Sequence, residues 1–406
     1  MTREELNSAA MHLLEQSHNI AIQAATGVGK SKIAIDLYYE IASRYSRTVK
    51  GLLVVEERAH IGNWNAEFIK WNCAFGTFTI ICYASLKNYR DTEWDVVIFD
   101  EAHHLGSELR LDVFSTLRAD YRIFLSATLK DSLLQELEEY CGPIKSVKMG
   151  LQDAFNSNVL PEPKINLIEL TLDKVNYDQT IIEEWGKKDK RLTAHCKYED
   201  RWKFLRDKKQ VPNGTLIIHC TQQQKYDYLC AQFEYYKKRY MLTRNEAIKN
   251  KWLQFGSKRK VYLGSLKTAV ANKLLQKLSG KRLICFCTNI EQADILGGRY
   301  AVHSKQRDSL NIVDRFNHKK INSLFAVGML QEGMNLNDIE CSIIVQLDGE
   351  ERAFIQKFGR TLRADSPEQY IIYFKGTRDE EYLNNALENI DKKYIKKVSY
   401  HEHNNK

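Results

Sequence analysis

Short uninterrupted apolar runs alternate along this chain with stretches whose apolar residues return every third or fourth position. The runs predict strands over 19–24, 51–55, 78–83, 95–99 and 121–125, then again over 282–287, 300–302, 323–327, 342–347 and 370–374. The stretches between them carry the helical period, beginning with an amphipathic helix over 1–18 that places Leu6, Ala9, Ala10, Leu13 and Leu14 on one face. Apolar strands alternating with helices imply parallel sheets covered on both faces, whose ligands bind beyond the carboxyl ends of the strands. The pattern occurs twice, so the expected architecture is α/β with two parallel-sheet lobes. Between them lies a region where the pattern weakens, with strand-like runs over 165–172 and 215–219 flanking basic helical stretches. Three of the five prolines fall between 143 and 163 and mark the end of the first lobe. The expected division is 1–160 for lobe one, 161–255 for a basic α+β insertion, 256–376 for lobe two, and 377–406 for a C-terminal helix and tail.

Composition sharpens this picture. A length of 406 residues calls for more than one core. No run approaches the eighteen apolar residues of a membrane span, and the polar opening from Met1 to Glu5 does not read as a signal peptide, so a cytoplasmic protein is expected, in host cytoplasm if viral. Nine cysteines without a CxxC pair argue for free thiols rather than zinc. The net charge of +8 hides an asymmetry: residues 186–282 hold 25 Lys and Arg against 7 Asp and Glu, a net +18, leaving −10 elsewhere. A basic segment in an acidic remainder is either a polyanion surface or a set of solvated helix faces. Within it, Lys237, Lys238 and Arg239 form a cationic edge suited to phosphates, whereas Leu229, Cys230, Phe233 and Tyr236 repeat at helical spacing and read as core.

The chemistry sits at the predicted strand ends. After the first strand comes Ala24-Ala25-Thr26-Gly27-Val28-Gly29-Lys30-Ser31, with a helical pattern following at once. Gly27 and Gly29 permit backbone conformations closed to other residues, so that successive N–H groups converge on an anion at a helix N-terminus. Residues Ala25 to Ser31 therefore form a phosphate cradle, with Lys30 for the β- and γ-phosphates of ATP and the Ser31 hydroxyl for Mg²⁺. The fourth strand delivers Asp100-Glu101-Ala102-His103. Asp100 at a strand tip can hold Mg²⁺, and the adjacent Glu101 can orient and deprotonate the attacking water. Farther on, Gln356-Lys357-Phe358-Gly359-Arg360-Thr361-Leu362-Arg363 places Arg360 and Arg363 three apart, so both guanidinium groups can leave one helix face towards a γ-phosphate.

In order and spacing these stretches resemble motifs I, II and VI of the superfamily two helicases and translocases. Ser126-Ala127-Thr128 resembles motif III, and Gln331-Glu332-Gly333-Met334-Asn335 resembles motif V with Asn335 where many members carry Asp. Val54-Val55 with Arg58 and Trp64 resembles motif Ia, Glu56 replacing the usual Pro, and Tyr83-Ala84-Ser85-Leu86 resembles Ib. The resemblance implies two RecA-like lobes, ATP and Mg²⁺ as cofactors, and catalysis by Lys30, Asp100, Glu101, Gln356, Arg360 and Arg363. It also implies coupling between nucleotide and polymer through His103, Ser126, Ala127, Thr128, Glu332 and Gly333, and nucleic-acid contacts at Arg58, Ser85 and His303. Asn7 falls where many relatives read adenine, and is otherwise a surface or capping residue. The Gly-Arg-x-Leu-Arg ending of motif VI resembles the group of type III restriction motors, XPB and UvsW, which implies DNA rather than RNA as the polymer. A motor that translocates on duplex DNA for a protein partner, an RNA helicase, and a non-enzymatic binding module are the other readings.

Overall fold

In the computed structural model, residues 1–73, 78–186, 192–207, 214–327, 336, 338–347, 358–359, 364 and 366–398 are described. The first lobe is a parallel sheet built from β1 (Asn19–Ala24), β2 (Gly51–Val55), β3 (Phe78–Cys82), β4 (Glu93–Phe99), β5 (Arg118–Ser126) and β6 (Lys145–Met149), in the order β3-β2-β4-β5-β1-β6. β1 and β2 are buried along their whole length because helices cover both faces, which is why they read as unbroken apolar runs. The Arg3–Gln16 helix starts on a capping box in which Thr2 accepts from the Glu5 amide and Glu5 accepts from that of Thr2.

The second lobe departs from the expected boundaries. Its parallel sheet contains β11 (Leu283–Phe286), β12 (Ala301–Val302), β13 (Ser323–Ala326), β14 (Cys341–Ile344) and β15 (Glu368–Phe374), as the apolar runs predict. It also recruits β7 (Lys164–Leu170) from the stretch expected to be insertion, and β16 (Ile395–Val398) from the expected tail, giving the order β12-β13-β11-β14-β15-β7-β16. The reason is burial: β7 carries Ile165, Leu167 and Ile168 into the core, and only a central position between two strands satisfies both its edges. β16, with Lys396 and Lys397, is a polar edge strand, a type that apolar runs do not reveal.

What remains of the insertion is a small sheet and a long helical pair. β8 (Gln179–Trp185), β9 (Leu192–Lys197) and β10 (Gly214–Cys220) form a mixed sheet in the order β8-β10-β9. Its apolar face holds Ile181, Cys196, Leu216, Ile218 and Cys220. Two helices, Gln222–Thr243 and Glu246–Leu266, follow as a hairpin turned at Arg244 in a left-handed conformation and at Asn245, which caps the second helix. The hairpin is zipped by aromatic pairs, Tyr236 on Phe255 at 5.4 Å and Tyr240 on Trp252 at 5.7 Å between centroids. Gly256, where the second lobe was expected to begin, lies inside the second helix, and a Cβ there would meet Phe233 at 3.2 Å. It is a packing glycine rather than a boundary.

Candidate active site

Where β1 ends, the chain turns through Gly27 (φ 92°) and Gly29 (φ 112°) before the Lys30–Ser43 helix begins. Both conformations are left-handed, so the glycines read from the sequence are required by the backbone. The Ala25 amide donates to Met149 O at 3.1 Å, and Lys30 Nζ donates to Ala24 O at 2.9 Å, folding the ammonium back across the loop. Among the described residues, Thr26 Oγ1 is buried with no hydrogen-bond partner. A left-handed loop, a lysine held over it and an orphaned hydroxyl fit the phosphates of a nucleotide. The loop is tied from outside by Arg3, whose Nη2 donates to Gly27 O at 3.3 Å and Val159 O at 3.1 Å. No periodicity or motif marks Arg3, so sequence reasoning passed over it.

β4 presents Asp100 and Glu101 alongside this loop. Trp64 Nε1 donates to Asp100 Oδ2 at 2.7 Å, the Glu101 amide to Asp100 Oδ1 at 3.1 Å, and Tyr83 Oη to Asp100 O at 3.0 Å. Burial, reinforced by the charge of Glu101, raises the Asp100 pKa above the ordinary carboxylate range. Burial also pushes Glu101 upward, but the His103 hydrogen bond and the charge of Lys30 outweigh it and hold Glu101 at about 2. Glu101 is therefore ionised at neutral pH, as a group that orients water must be. Its own backbone is left-handed, with φ 47°. His103 Nδ1 stands 3.4 Å from Glu101 Oε2 and 3.2 Å from Ser126 Oγ, and Ser126 in turn donates to Thr128 O at 2.8 Å. The structure thus joins His103 to the Ser126-Ala127-Thr128 stretch. His104, which the sequence leaves without a role, pairs with Glu56 at 3.0 Å.

The second lobe reaches the same loop. A Cβ on Gly359 would meet Thr26 Cβ at 2.6 Å and Thr26 O at 3.2 Å, so the glycine of Q-x-x-G-R lies directly against the phosphate loop. Its neighbour Phe358 packs edge-on against Phe155 at 6.2 Å. Gln356, Arg360, Arg363, Glu332 and Gly333 lie outside the described residues. Asn7 donates to Asp36 Oδ2 at 3.2 Å, while its Oδ1 is buried with no hydrogen-bond partner among the described residues.

The nucleic-acid candidates divide. Arg58 and Ser85 line one cavity of about 440 Å³, together with Ile61, Gly62, Cys82 and Asn88. Lys237, Lys238 and Arg239 lie on the first helix of the insertion hairpin; Lys238 and Arg239 are exposed, and Arg239 donates to Tyr235 Oη at 3.1 Å. His303 does not join either group. It is 6% exposed, with Nε2 on Asp294 Oδ1 at 3.0 Å, so it is a buried second-lobe residue rather than a surface contact.

Comparison with known proteins bears on this site. Residues 266–365 match the model of the Helicase conserved C-terminal domain. The chain is 24% identical over 357 residues to the ATP-dependent RNA helicase DBP6 of Candida albicans, covering 86% of this chain and 54% of that protein. It is 29% identical over 97 residues to the putative ATP-dependent RNA helicase MJ1505 of Methanocaldococcus jannaschii, covering 23% of this chain and 12% of that protein. The chain therefore spans about half the length of one curated relative and about an eighth of the other. Among solved structures, S. cerevisiae Dbp5 bound to RNA and ADP BeF3 superposes with a TM-score of 0.59 at 12% identity, covering 97% of this chain and 89% of that one. The fold is that of two RecA-like lobes, as in the Dbp5 structure. No helix among the described residues is long and apolar enough to cross a membrane.

Proposed function

We propose that this chain is a nucleic-acid-dependent ATPase of the helicase type, in which ATP hydrolysis between the lobes drives movement along a polymer. The observation that supports the reading is the close approach of Gly359 to Thr26, a second-lobe glycine lying against the loop between β1 and its helix. The loop amides and Lys30 bind the phosphates, and Ser31 and Asp100 are the residues that would hold Mg²⁺. Mg²⁺, when bound, neutralises charge on the phosphate oxygens. Glu101, ionised, orients water and accepts its proton. Arg360 and Arg363 supply positive charge from the second lobe, a contribution of about 10³ to 10⁵ in rate for an arginine finger. His103 and Ser126 carry the state of the site to the third-motif stretch. Cleft closure with ATP and reopening after hydrolysis then alternate the grip of two lobes on the polymer.

RNA is the proposed polymer. Both curated relatives are named RNA helicases, and neither supports the DNA expected from the motif VI ending. The grouping with type III restriction motors, XPB and UvsW rests on that ending alone, and is the reading that would make the polymer DNA.

The deciding experiment measures ATP hydrolysis by the wild type and Lys30→Ala with no polymer, single-stranded RNA, single-stranded DNA, duplex DNA and forked DNA. Stimulation by RNA that Lys30→Ala abolishes is the expected result. Stimulation by DNA alone moves the chain to the DNA group and keeps the mechanism. No turnover with any polymer overturns the motor reading.

A further inference from the structure

The Arg58–Lys70 helix and the turn Tyr83–Tyr89 face each other across the cavity that holds Arg58 and Ser85. Each of these walls also sends one hydrogen bond to Asp100. From the helix, Trp64 is 3% exposed and its indole N–H meets the carboxylate at 2.7 Å. From the turn, Tyr83 is 2% exposed and its hydroxyl meets the backbone carbonyl at 3.0 Å. Arg58, Ile61 and Trp64 are spaced three apart, so the cavity wall and the indole belong to one rigid helical face. Tyr83 lies one residue after Cys82 and two before Ser85, both of which line the cavity.

We propose that Trp64 and Tyr83 are positioning residues that couple occupancy of the Arg58–Ser85 cavity by a nucleic-acid backbone to the setting of Asp100. The inference rests on the proposed function for the identity of the occupant, and on the geometry for the connection. A phosphodiester has one negative charge, and the cavity offers a guanidinium and a hydroxyl, the donor pair that phosphate oxygens take. Drawing the two walls towards a shared phosphate moves the helix and the turn together. Asp100 is held by both, so its carboxylate follows. A hydrogen bond from a neutral indole to a buried carboxylate is charge-assisted and short, which makes it a stiff link. His60, four residues before Trp64 on the same face, is 4% exposed, and among the described residues its Nε2 has no hydrogen-bond partner.

The test measures the affinity of a fluorescent ADP analogue with Mg²⁺, with and without a single-stranded RNA or DNA oligonucleotide, for the wild type, Trp64→Phe and Tyr83→Phe. The ratio of the two dissociation constants is the coupling, and for linked sites it is about 5-fold or more. In the wild type that coupling is expected, with one of the two polymers. In Trp64→Phe it falls below about 2-fold while each ligand alone still binds, and polymer stimulation of ATP turnover falls in parallel. A merely structural role for the indole would shift the melting temperature and leave the ratio unchanged. Tyr83→Phe removes a single hydroxyl and carries the test should Trp64→Phe fail to fold. Full coupling in the folded variants overturns this inference and leaves the proposed function standing. A wild type with no coupling to either polymer and no stimulated turnover overturns both.

Discussion

Lys267 and Asp379 form an ion pair sealed from solvent, with Nζ 2.6 Å from Oδ2 and side-chain exposures of 0% and 1%. Lys267 follows the second helix of the insertion hairpin, and Asp379 opens the Arg378–Leu387 helix. Lys267 also donates to Val345 O and Gln346 Oε1, and Gln346 donates to the other oxygen of Asp379 at 2.6 Å. Burial lowers the Lys267 pKa, and Asp379 opposes that shift. Three distant segments of the second lobe thus meet on one pair. Removing one partner leaves an uncompensated buried charge, so Lys267→Met or Asp379→Asn alone is expected to cost about 3–5 kcal/mol in denaturant unfolding. The double variant Lys267→Met with Asp379→Leu should recover most of that loss.

Gly359→Ala is expected to lower ATP turnover far more than stability. The new methyl would meet Thr26 Cβ at 2.6 Å and force the two lobes apart at the phosphate loop. A displacement of about 1 Å at a reacting centre costs about 10²-fold in rate. Steady-state hydrolysis beside a thermal melt separates the two effects.

Charge reversal of Lys237, Lys238 and Arg239 to Glu tests the hairpin as a polymer contact. Polymer affinity should fall without dependence on sequence, and the slope of log affinity against log salt should shrink by up to about 0.7 for each lost contact to a single strand. An unchanged slope would make these cations a solvated helix face, the other reading their charge allows.

Acid should loosen the first lobe through Asp95. Arg47 donates to its two oxygens at 2.7 and 2.6 Å and the Lys50 amide adds a third hydrogen bond at 2.6 Å, while Asp95 itself is 6% exposed. The Arg47 hydrogen bonds hold its pKa below the usual aspartate value, burial opposing them. A depressed folded pKa means that the stabilisation is fully present above the unfolded value of about 3.9 and disappears as pH falls through the lower folded value. Asp95→Asn should lower stability at pH 7 by about 2 kcal/mol. Melting curves of the variant should also show a smaller loss between pH 5 and pH 3 than those of the wild type.

β1, β2 and β4 of the first lobe are legible in the sequence because they are covered on both faces and must be apolar, whereas the edge strand β6, with Lys145, Ser146 and Lys148 exposed, is missed. The turn at Gly27 and Gly29 is equally legible, since the left-handed backbone there is open to glycine. β8 and β9 are not, because Gln179–Trp185 and Leu192–Lys197 cover one face of a small sheet and leave polar residues on the other. The insertion hairpin shows in the sequence only as basic and helical, and its second helix runs through position 256, where the second lobe is expected to begin. At the site, the strand tips carry their chemistry visibly, but the bond from Trp64 to Asp100 spans 36 residues of chain, and no local pattern encodes it. His303 is the opposite case: the strand before it ends at the expected place, but the residue is 6% exposed and its Nε2 is held by Asp294.

The position of β7 in the second sheet carries a consequence for how the protein is made. Its two neighbours, β15 and β16, leave the ribosome more than two hundred residues later, as the Tyr373–Glu169 hydrogen bond across 204 residues records. During synthesis β7 therefore waits with both hydrogen-bonding edges open and its isoleucines uncovered, while the insertion that follows it can already assemble from local contacts. Long-range parallel pairing of this kind is slow and exposed to aggregation. Nascent chains halted before β15 should be the ones that general chaperones hold.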